Sequence, residues 1–168
     1  MVKKAFLTVL FGALVLAVLV GCSSNGSGGG GGNGGGSSSV ELGTDTSDSV
    51  SDTEPDLITF TTEGSGDYVI TLSDFSADSD LDWYLFEDES DANAYVSALN
   101  DLYANPQNAN LQAVFDAALT SIAVGDDITD PEVGTATALA SNSVYFLVVE
   151  DVNQVGSSYT LNISAAGS

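Results

Sequence analysis

LDWYLF, at residues 81–86, decides the fold, because it consists mainly of aliphatic and aromatic residues that favour β-structure. Leu81, Trp83 and Leu85 fall on one face of a strand, and the residues between and after them fall on the other. Both faces carry large apolar or aromatic groups. The stretch therefore predicts a strand of a β domain with a substantial core.

Four more stretches outward from this point have strand character. Residues 57–62 and 68–75 flank the turn-forming Gly64–Asp67 sequence, which predicts that they form a hairpin. Residues 143–150 are apolar on both faces, which indicates a central strand. Residues 159–163 alternate between apolar and polar side chains, so this last strand is expected to have one buried face and one wet face.

Between these strands the apolar period changes from two to about 3.6 residues, which predicts a helical hairpin over about residues 91–122. Asn105-Pro106 separates its two helices, since Asn can cap a helix and Pro is tolerated at a first helical position. We expect the apolar stripes to pack against the sheet rather than remain exposed, because an exposed stripe of this size favours aggregation. The chain is thus predicted to be mainly β, with an inserted helical hairpin.

The strands contain three motifs: the Asp80-x-Asp82 pair before an aromatic strand, the Tyr-containing strand at residues 144–149, and the closing YTLNI at residues 159–163. Together these motifs resemble the bacterial pre-peptidase C-terminal domain. The resemblance covers about residues 57–88 and 139–165. It implies a small jelly-roll-like β-sandwich of the kind found in exported bacterial proteins. The helical hairpin departs from the family pattern, in which a loop is expected.

The N-terminus has the pattern of an export signal. Lys3 and Lys4 precede an apolar run over residues 5–20, whose helical length of about 24 Å falls short of a hydrocarbon layer of about 30 Å. An uncleaved membrane anchor is the alternative. Leu19-Val20-Gly21-Cys22 resembles the bacterial lipobox, which implies a signal peptide over residues 1–21 that is cut between Gly21 and Cys22.

The same resemblance implies that Cys22 carries a diacylglyceryl group and an N-acyl chain such as palmitate. Two or three acyl chains anchor a protein durably, since each buried CH₂ contributes about 0.8 kcal/mol. The expected partner is thus a membrane, reached through the lipid, and the expected location is the bacterial cell envelope. Ser23 favours the outer over the inner membrane, since Asp at this position resembles an inner-membrane retention signal.

A linker is predicted from Cys22 to residue 56. Residues 23–39 are only Ser, Asn and Gly, and residues 40–56 add acids without a core pattern. Such a chain buries too little apolar surface to offset the entropy of ordering. A nucleotide-binding loop is not expected, because no Lys follows the glycines. The β-sandwich domain is predicted over residues 57–168.

Charge and residue usage exclude several function classes. The chain has 24 acidic and 2 basic residues, a formal charge of -22 and no His, and both bases lie in the predicted signal peptide. Nucleic-acid binding through a basic surface is excluded. Serine and cysteine triads that need His, and zinc held by His, are excluded as well. No catalytic residue is predicted.

The densest acidic stretch has two interpretations. Asp78, Asp80 and Asp82 alternate, and together with Asp88 they are candidate ligands of a Ca²⁺ ion, which takes six to eight oxygen ligands. The alternative, favoured by acids spread along the whole chain, is a solvated acidic surface suited to high salt. Calcium is the one cofactor that the sequence suggests.

These observations favour a non-enzymatic, lipid-anchored module that binds or adheres to an envelope protein or glycan. The alternatives are a structural spacer without a specific ligand and a small hydrolase that uses a carboxylate pair. Exposure of Trp83, Tyr84, Tyr95 and Tyr103 distinguishes a binding surface from a spacer. Two close carboxylates in a cleft would favour the hydrolase.

Overall fold

The computed structural model describes residues 38–107, 109–125 and 130–167. The predicted signal peptide, its cleavage position at Gly21 and Cys22, and the linker through residue 37 lie outside the described residues. In the part that the structure describes, no helix is long and apolar enough to cross a membrane.

Nine strands and two helices form the described chain. In chain order they are β1 (Ser38–Ser39), β2 (Thr46–Val50), β3 (Asp56–Thr61), β4 (Gly66–Ser73), β5 (Leu81–Phe86), α1 (Glu89–Ala104), α2 (Leu111–Ala118), β6 (Ala123–Gly125), β7 (Glu132–Leu139), β8 (Val144–Asp151) and β9 (Ser157–Ala165).

The strands form two sheets. The five-stranded sheet has the order β1-β3-β8-β5-β6, and the four-stranded sheet has the order β2-β9-β4-β7. Neighbouring strands are antiparallel except β1 and β3. The prediction of a mainly β sandwich with a helical hairpin is confirmed, and so is the central position of β8, which lies between β3 and β5.

The main core lies between the two sheets. Every second residue of β4 and β9 is buried, and these side chains meet those of β3, β5 and β8 from the opposite sheet. Trp83 is fully buried and packs against Gly134 of β7, where an added Cβ would overlap the indole ring. The apolar residues that alternate along these strands therefore form a single core between the two sheets.

The helical hairpin covers the outer face of the five-stranded sheet. Tyr95 of α1 lies against Tyr84 and Phe86 of β5, with ring centroids 4.7 and 5.7 Å apart. All six residues of β5 are consequently buried, three in the sandwich core and three beneath the helices. The expectation that the helical stripes pack against the sheet is confirmed for α1, whose Ala92, Tyr95 and Leu99 are buried. The second helix, α2, packs mainly against α1, and the apolar Leu119 and Ile122 that follow it are exposed.

The predicted hairpin between the first two strands is wrong. β3 pairs with β8 in one sheet, whereas β4 pairs with β7 and β9 in the other. The chain crosses between the sheets near Thr62, whose hydroxyl donates to the Ala140 carbonyl at 2.5 Å. Since β3 and β4 each have one apolar face, placing them in opposite sheets lets both faces reach the shared core.

The predicted linker is wrong for residues 38–56. β1, β2 and the first residue of β3 lie in this range, and β2 pairs with β9 along its whole length. Only Val50 of β2 is buried, which explains why no core pattern is visible in the sequence. The described body begins at Ser38 rather than near residue 57.

Candidate functional site

The four acids predicted as calcium ligands lie in different environments. Asp78 and Asp88 are exposed, Asp80 is partly buried just before β5, and Asp82 is buried in β5. Within residues 38–107, 109–125 and 130–167, no group of three or more acidic side chains is placed to hold a metal ion. The described residues therefore do not bring these four acids together around an ion, and calcium binding stays a prediction.

Asp82 and Glu150 are directly opposite each other on β5 and β8, on the face that the helical hairpin covers. The Tyr95 hydroxyl donates to Oε1 of Glu150 at 2.6 Å, and the Tyr103 hydroxyl donates to Oε2 at 2.7 Å. We call these four residues the carboxylate–tyrosine cluster. Its two acids are 5% and 4% exposed, so they are withdrawn from solvent.

Burial raises the pKa of Glu150, while the two tyrosine hydroxyls partly offset this effect and the charges of Asp151 and Asp80 add to it. Burial also raises the pKa values of Tyr95 and Tyr103, and the charge of Glu150 adds to the increase. Both phenols therefore remain protonated donors. The arrangement attaches α1 to the sheet, and it leaves Glu150 no access to a substrate.

Asp151, the last residue of β8, organises the turn that follows it. Its carboxylate accepts hydrogen bonds from the backbone amides of Val155 and Gly156 at 3.1 and 2.8 Å, and from that of Asp80 at 3.2 Å. Burial raises the pKa of Asp80, and the charge of Asp151 adds to the increase. The carboxylate of Asp151 therefore stabilises the local backbone, and its oxygens are already hydrogen-bonded.

A second acid–tyrosine contact joins the two sheets. The Tyr159 hydroxyl, from β9, donates to Oδ2 of Asp56, the first residue of β3, at 2.5 Å. Burial raises the pKa of Asp56 to about 6, the hydrogen bond from Tyr159 partly offsets this effect, and the charge of Asp48 adds to it. This contact was not predicted, because Asp56 was assigned to the linker.

The aromatic residues that would form a binding platform are in the interior. Trp83, Tyr84 and Tyr95 are 0%, 2% and 1% exposed, and Tyr103 is half-buried. The first three therefore offer no exposed ring face for stacking on a sugar. The close carboxylate pair, Asp82 and Glu150, lies beneath the helices rather than in a cleft, which disfavours the hydrolase alternative for these residues.

The outer face of the four-stranded sheet has no charged residue across its middle. Thr71 of β4 is at its centre, since it pairs with Asn162 of β9 on one side and with Val133 of β7 on the other. We call this surface the neutral face. Its outward-facing residues are Ser47 and Ser49 of β2, Ser158, Thr160, Asn162 and Ser164 of β9, Val69, Thr71 and Ser73 of β4, and Val133, Thr135 and Thr137 of β7.

All twelve side chains are exposed or partly exposed, and no described element packs on them. Acids flank the face only at its margin. Asp67, at the start of β4, accepts a hydrogen bond from the Ala138 amide at 2.9 Å, and Asp45, just before β2, accepts one from the Asn162 side chain at 2.7 Å. The wet face predicted for residues 159–163 is confirmed as part of this surface, whereas its β2 and β7 portions were not predicted.

Comparison with family models and with curated proteins gave no match. Among solved structures, the chain is similar to the pre-peptidase C-terminal domain of a collagenase from Bacillus anthracis, with a TM-score of 0.49 and 14% sequence identity over 79% of this chain and 99% of that chain. This neighbour belongs to the domain family that the strand motifs resemble. The β-sandwich assignment itself rests on the two sheets described above.

Proposed function

We propose that this protein is a lipid-anchored module of the bacterial cell envelope that binds its partner, an envelope protein or glycan, through the neutral face. The observation that carries the proposal is the uncharged outer surface of the four-stranded sheet on a chain with 24 acidic residues. Hydroxyl and amide groups on this face can donate and accept hydrogen bonds. A partner that meets them encounters little charge repulsion.

A non-enzymatic role is supported by the hydrogen bonds of three buried or partly buried acids. Glu150 accepts from two tyrosines, Asp151 accepts from turn amides, and Asp56 accepts from Tyr159. Each carboxylate therefore has a structural function. The chain also contains no His that could act as a general base near neutral pH.

The anchor is supported by the sequence of residues 19–22 and by the glycine-rich segment that follows it. In cells supplied with radiolabelled palmitate, the wild-type chain is expected to take up label and to fractionate with the outer membrane. Cys22→Ser is expected to lose both the label and the cleavage before residue 22. Labelling of the Cys22→Ser variant at the wild-type level would contradict the proposed anchor.

The binding role is tested by retention of solubilised envelope proteins and glycans on the immobilised chain from residue 22 with Cys22→Ser. Thr71→Glu places an acid at the centre of the neutral face. Ser97→Glu adds the same charge at an exposed position of α1 and serves as the matched control. We expect the first variant to lose retention and the second to keep it. Equal retention by both would exclude the neutral face as the binding surface.

The second candidate is a structural spacer without a specific ligand. The observation that favours it is the burial of Trp83, Tyr84 and Tyr95, since aromatic residues are the common anchors of binding surfaces. In the retention experiment, a spacer would retain no component specifically.

A further inference from the structure

We infer that the partner of the neutral face is a second copy of this chain, with the two faces packed against each other across a twofold axis. This inference rests on the proposed function, because it names the partner of the same surface. It makes the protein a homophilic contact module.

The distribution of charge favours a second copy. All 24 acids lie after residue 37, and the only two bases, Lys3 and Lys4, lie in the predicted signal peptide. A basic partner would bind most favourably where the acids are dense, for example around Glu87, Asp88 and Glu89. An equally acidic partner, such as a second copy, can approach closely only where both surfaces lack charge.

The shape of the face suits contact with an identical face. Its side chains are small, namely Ser, Thr, Val and Asn. Two such faces can therefore approach to the usual distance of about 10 Å between packed sheets. Thr71 lies at the centre of the grid, between Asn162 and Val133. A twofold axis through this centre brings Thr71 of each copy close to Thr71 of the other, as a self-complementary interface requires.

The size of the face limits the strength of the contact. Four strands about 4.8 Å apart, each contributing a few outward residues, outline about 300 to 400 Å². Two such faces bury about 600 to 800 Å² in total, less than the roughly 1,200 Å² of the smaller stable complexes. The association is therefore weak and reversible in dilute solution, and it depends on a high local concentration such as tethering to one membrane supplies.

Analytical ultracentrifugation of the chain from residue 22 with Cys22→Ser tests this inference. The described residues from Ser38 onward belong to one compact unit, so this chain keeps the whole sandwich. We expect monomer at micromolar concentration in 0.1 M NaCl and a monomer–dimer equilibrium at high concentration in 2 M NaCl, where screening reduces the repulsion between the two acidic bodies. Absence of dimer at every salt and protein concentration would overturn the inference.

Charge variants then locate the contact. Thr71→Glu is expected to raise the dissociation constant of the dimer at least tenfold, because two like charges meet near the axis, and Ser97→Glu is expected to leave it within about twofold. A mixture of Thr71→Glu with Thr71→Lys is expected to form heterodimers more tightly than a mixture of Ser97→Glu with Ser97→Lys. Equal effects at positions 71 and 97 would show that the dimer uses another surface.

The outcome separates this inference from the proposed function. If Thr71→Glu abolishes retention of an envelope component and the wild-type chain never dimerises, the proposed binding role stands and the second copy is not its partner. If neither retention nor dimerisation depends on Thr71, both proposals fail.

Discussion

The Tyr95 hydroxyl and the Glu150 carboxylate lie 2.6 Å apart where α1 meets the five-stranded sheet. Both side chains are almost completely buried, so the hydrogen bond satisfies a carboxylate that water does not reach. Hydrogen bonds to charged groups contribute about 1.5 to 3 kcal/mol. The attachment of the helical hairpin therefore depends on this pair.

Tyr95→Phe is expected to lower the free energy of unfolding by about 1.5 to 3 kcal/mol at pH 7, because it removes a donor from the buried Glu150 carboxylate. The loss should be smaller in mild acid, where Glu150 is more often protonated and needs the donor less. Urea unfolding at pH 7 and pH 5 measures both effects.

Tyr145→Phe is the matched control, because the Tyr145 hydroxyl is also in the interior but accepts from the neutral Ala140 amide at 2.9 Å. Its cost is expected to be about 1 kcal/mol and independent of pH over this range. Equal, pH-independent losses in the two variants would contradict a charged Glu150 at neutral pH.

Acid is expected to stabilise the sandwich. The pKa of Asp56 is raised from 3.8 to about 6 in the folded protein, and those of Asp80 and Glu150 are also raised. A raised carboxylate pKa means that the folded state binds the proton more tightly. The stability associated with Asp56 is fully present below about pH 4 and is lost as the pH rises through 6.

Asp56→Asn is expected to flatten this pH dependence. At pH 7 the variant should gain about 1 to 2 kcal/mol relative to the wild-type protein, a value reduced from the full linkage energy because Asp56 is partly exposed to solvent. At pH 4 the two proteins should have similar stability. The measurement is the free energy of unfolding between pH 4 and pH 8, and a wild-type curve that falls as the pH drops from 7 to 5 would contradict the assignment.

The elements with the strongest hydrophobic periodicity were the ones that the sequence predicted correctly. The sequence identified β5, β8, β9 and the two helices. Each of them has at least one buried face, so its apolar residues recur at a period of two in a strand or about 3.6 in a helix. β2 and β7 were not identified. Only one residue of β2 is buried, and β7 carries Gly134 where a larger apolar residue would mark a strand, because the indole of Trp83 occupies that space.

The remaining differences between the predicted and the observed fold come from pairing between strands that are far apart in the sequence. The Gly64–Asp67 segment indicates a turn, yet turn composition does not determine whether the next strand stays in the same sheet. Likewise, Asp82 and Glu150 are far apart in sequence and meet only through the pairing of β5 with β8. The neutral face depends on four strands, of which the sequence identified two.

Salt is expected to stabilise the protein gradually. The described residues include no Lys or Arg, so the folded domain concentrates acids that no basic side chain within it compensates. Raising NaCl from 0.1 to 1 M shortens the Debye length from about 10 to about 3 Å and screens this repulsion. We expect the melting temperature to rise by several degrees without saturating, and no rise would contradict the prediction.

Calcium at fixed ionic strength distinguishes screening from a specific ion site. The calcium hypothesis predicts a saturating effect of millimolar Ca²⁺ on the melting temperature, whereas screening alone predicts no separate effect. The double variant Asp80→Asn and Asp82→Asn tests the predicted ligands, and Glu41→Gln with Glu63→Gln, both exposed, is the control of equal charge. A saturating gain that only the first pair removes would instead support the calcium hypothesis.

Gly134→Ala is expected to be among the most damaging small substitutions in the protein. The added Cβ would overlap Cζ2 of Trp83, and this indole is fully buried between the sheets, where neighbouring atoms leave it no room to move. Overpacking of this kind costs about 1 to 3 kcal/mol and sometimes more. Gly64→Ala is the control, because nothing lies within 4 Å of its added Cβ, and it should change stability by less than about 0.5 kcal/mol.

Combining Gly134→Ala with Trp83→Phe should cost less than the sum of the two single changes, since the smaller ring leaves space for the methyl group. Thermal unfolding of the four variants provides the comparison, and additive losses would show that Gly134 and Trp83 are not in contact.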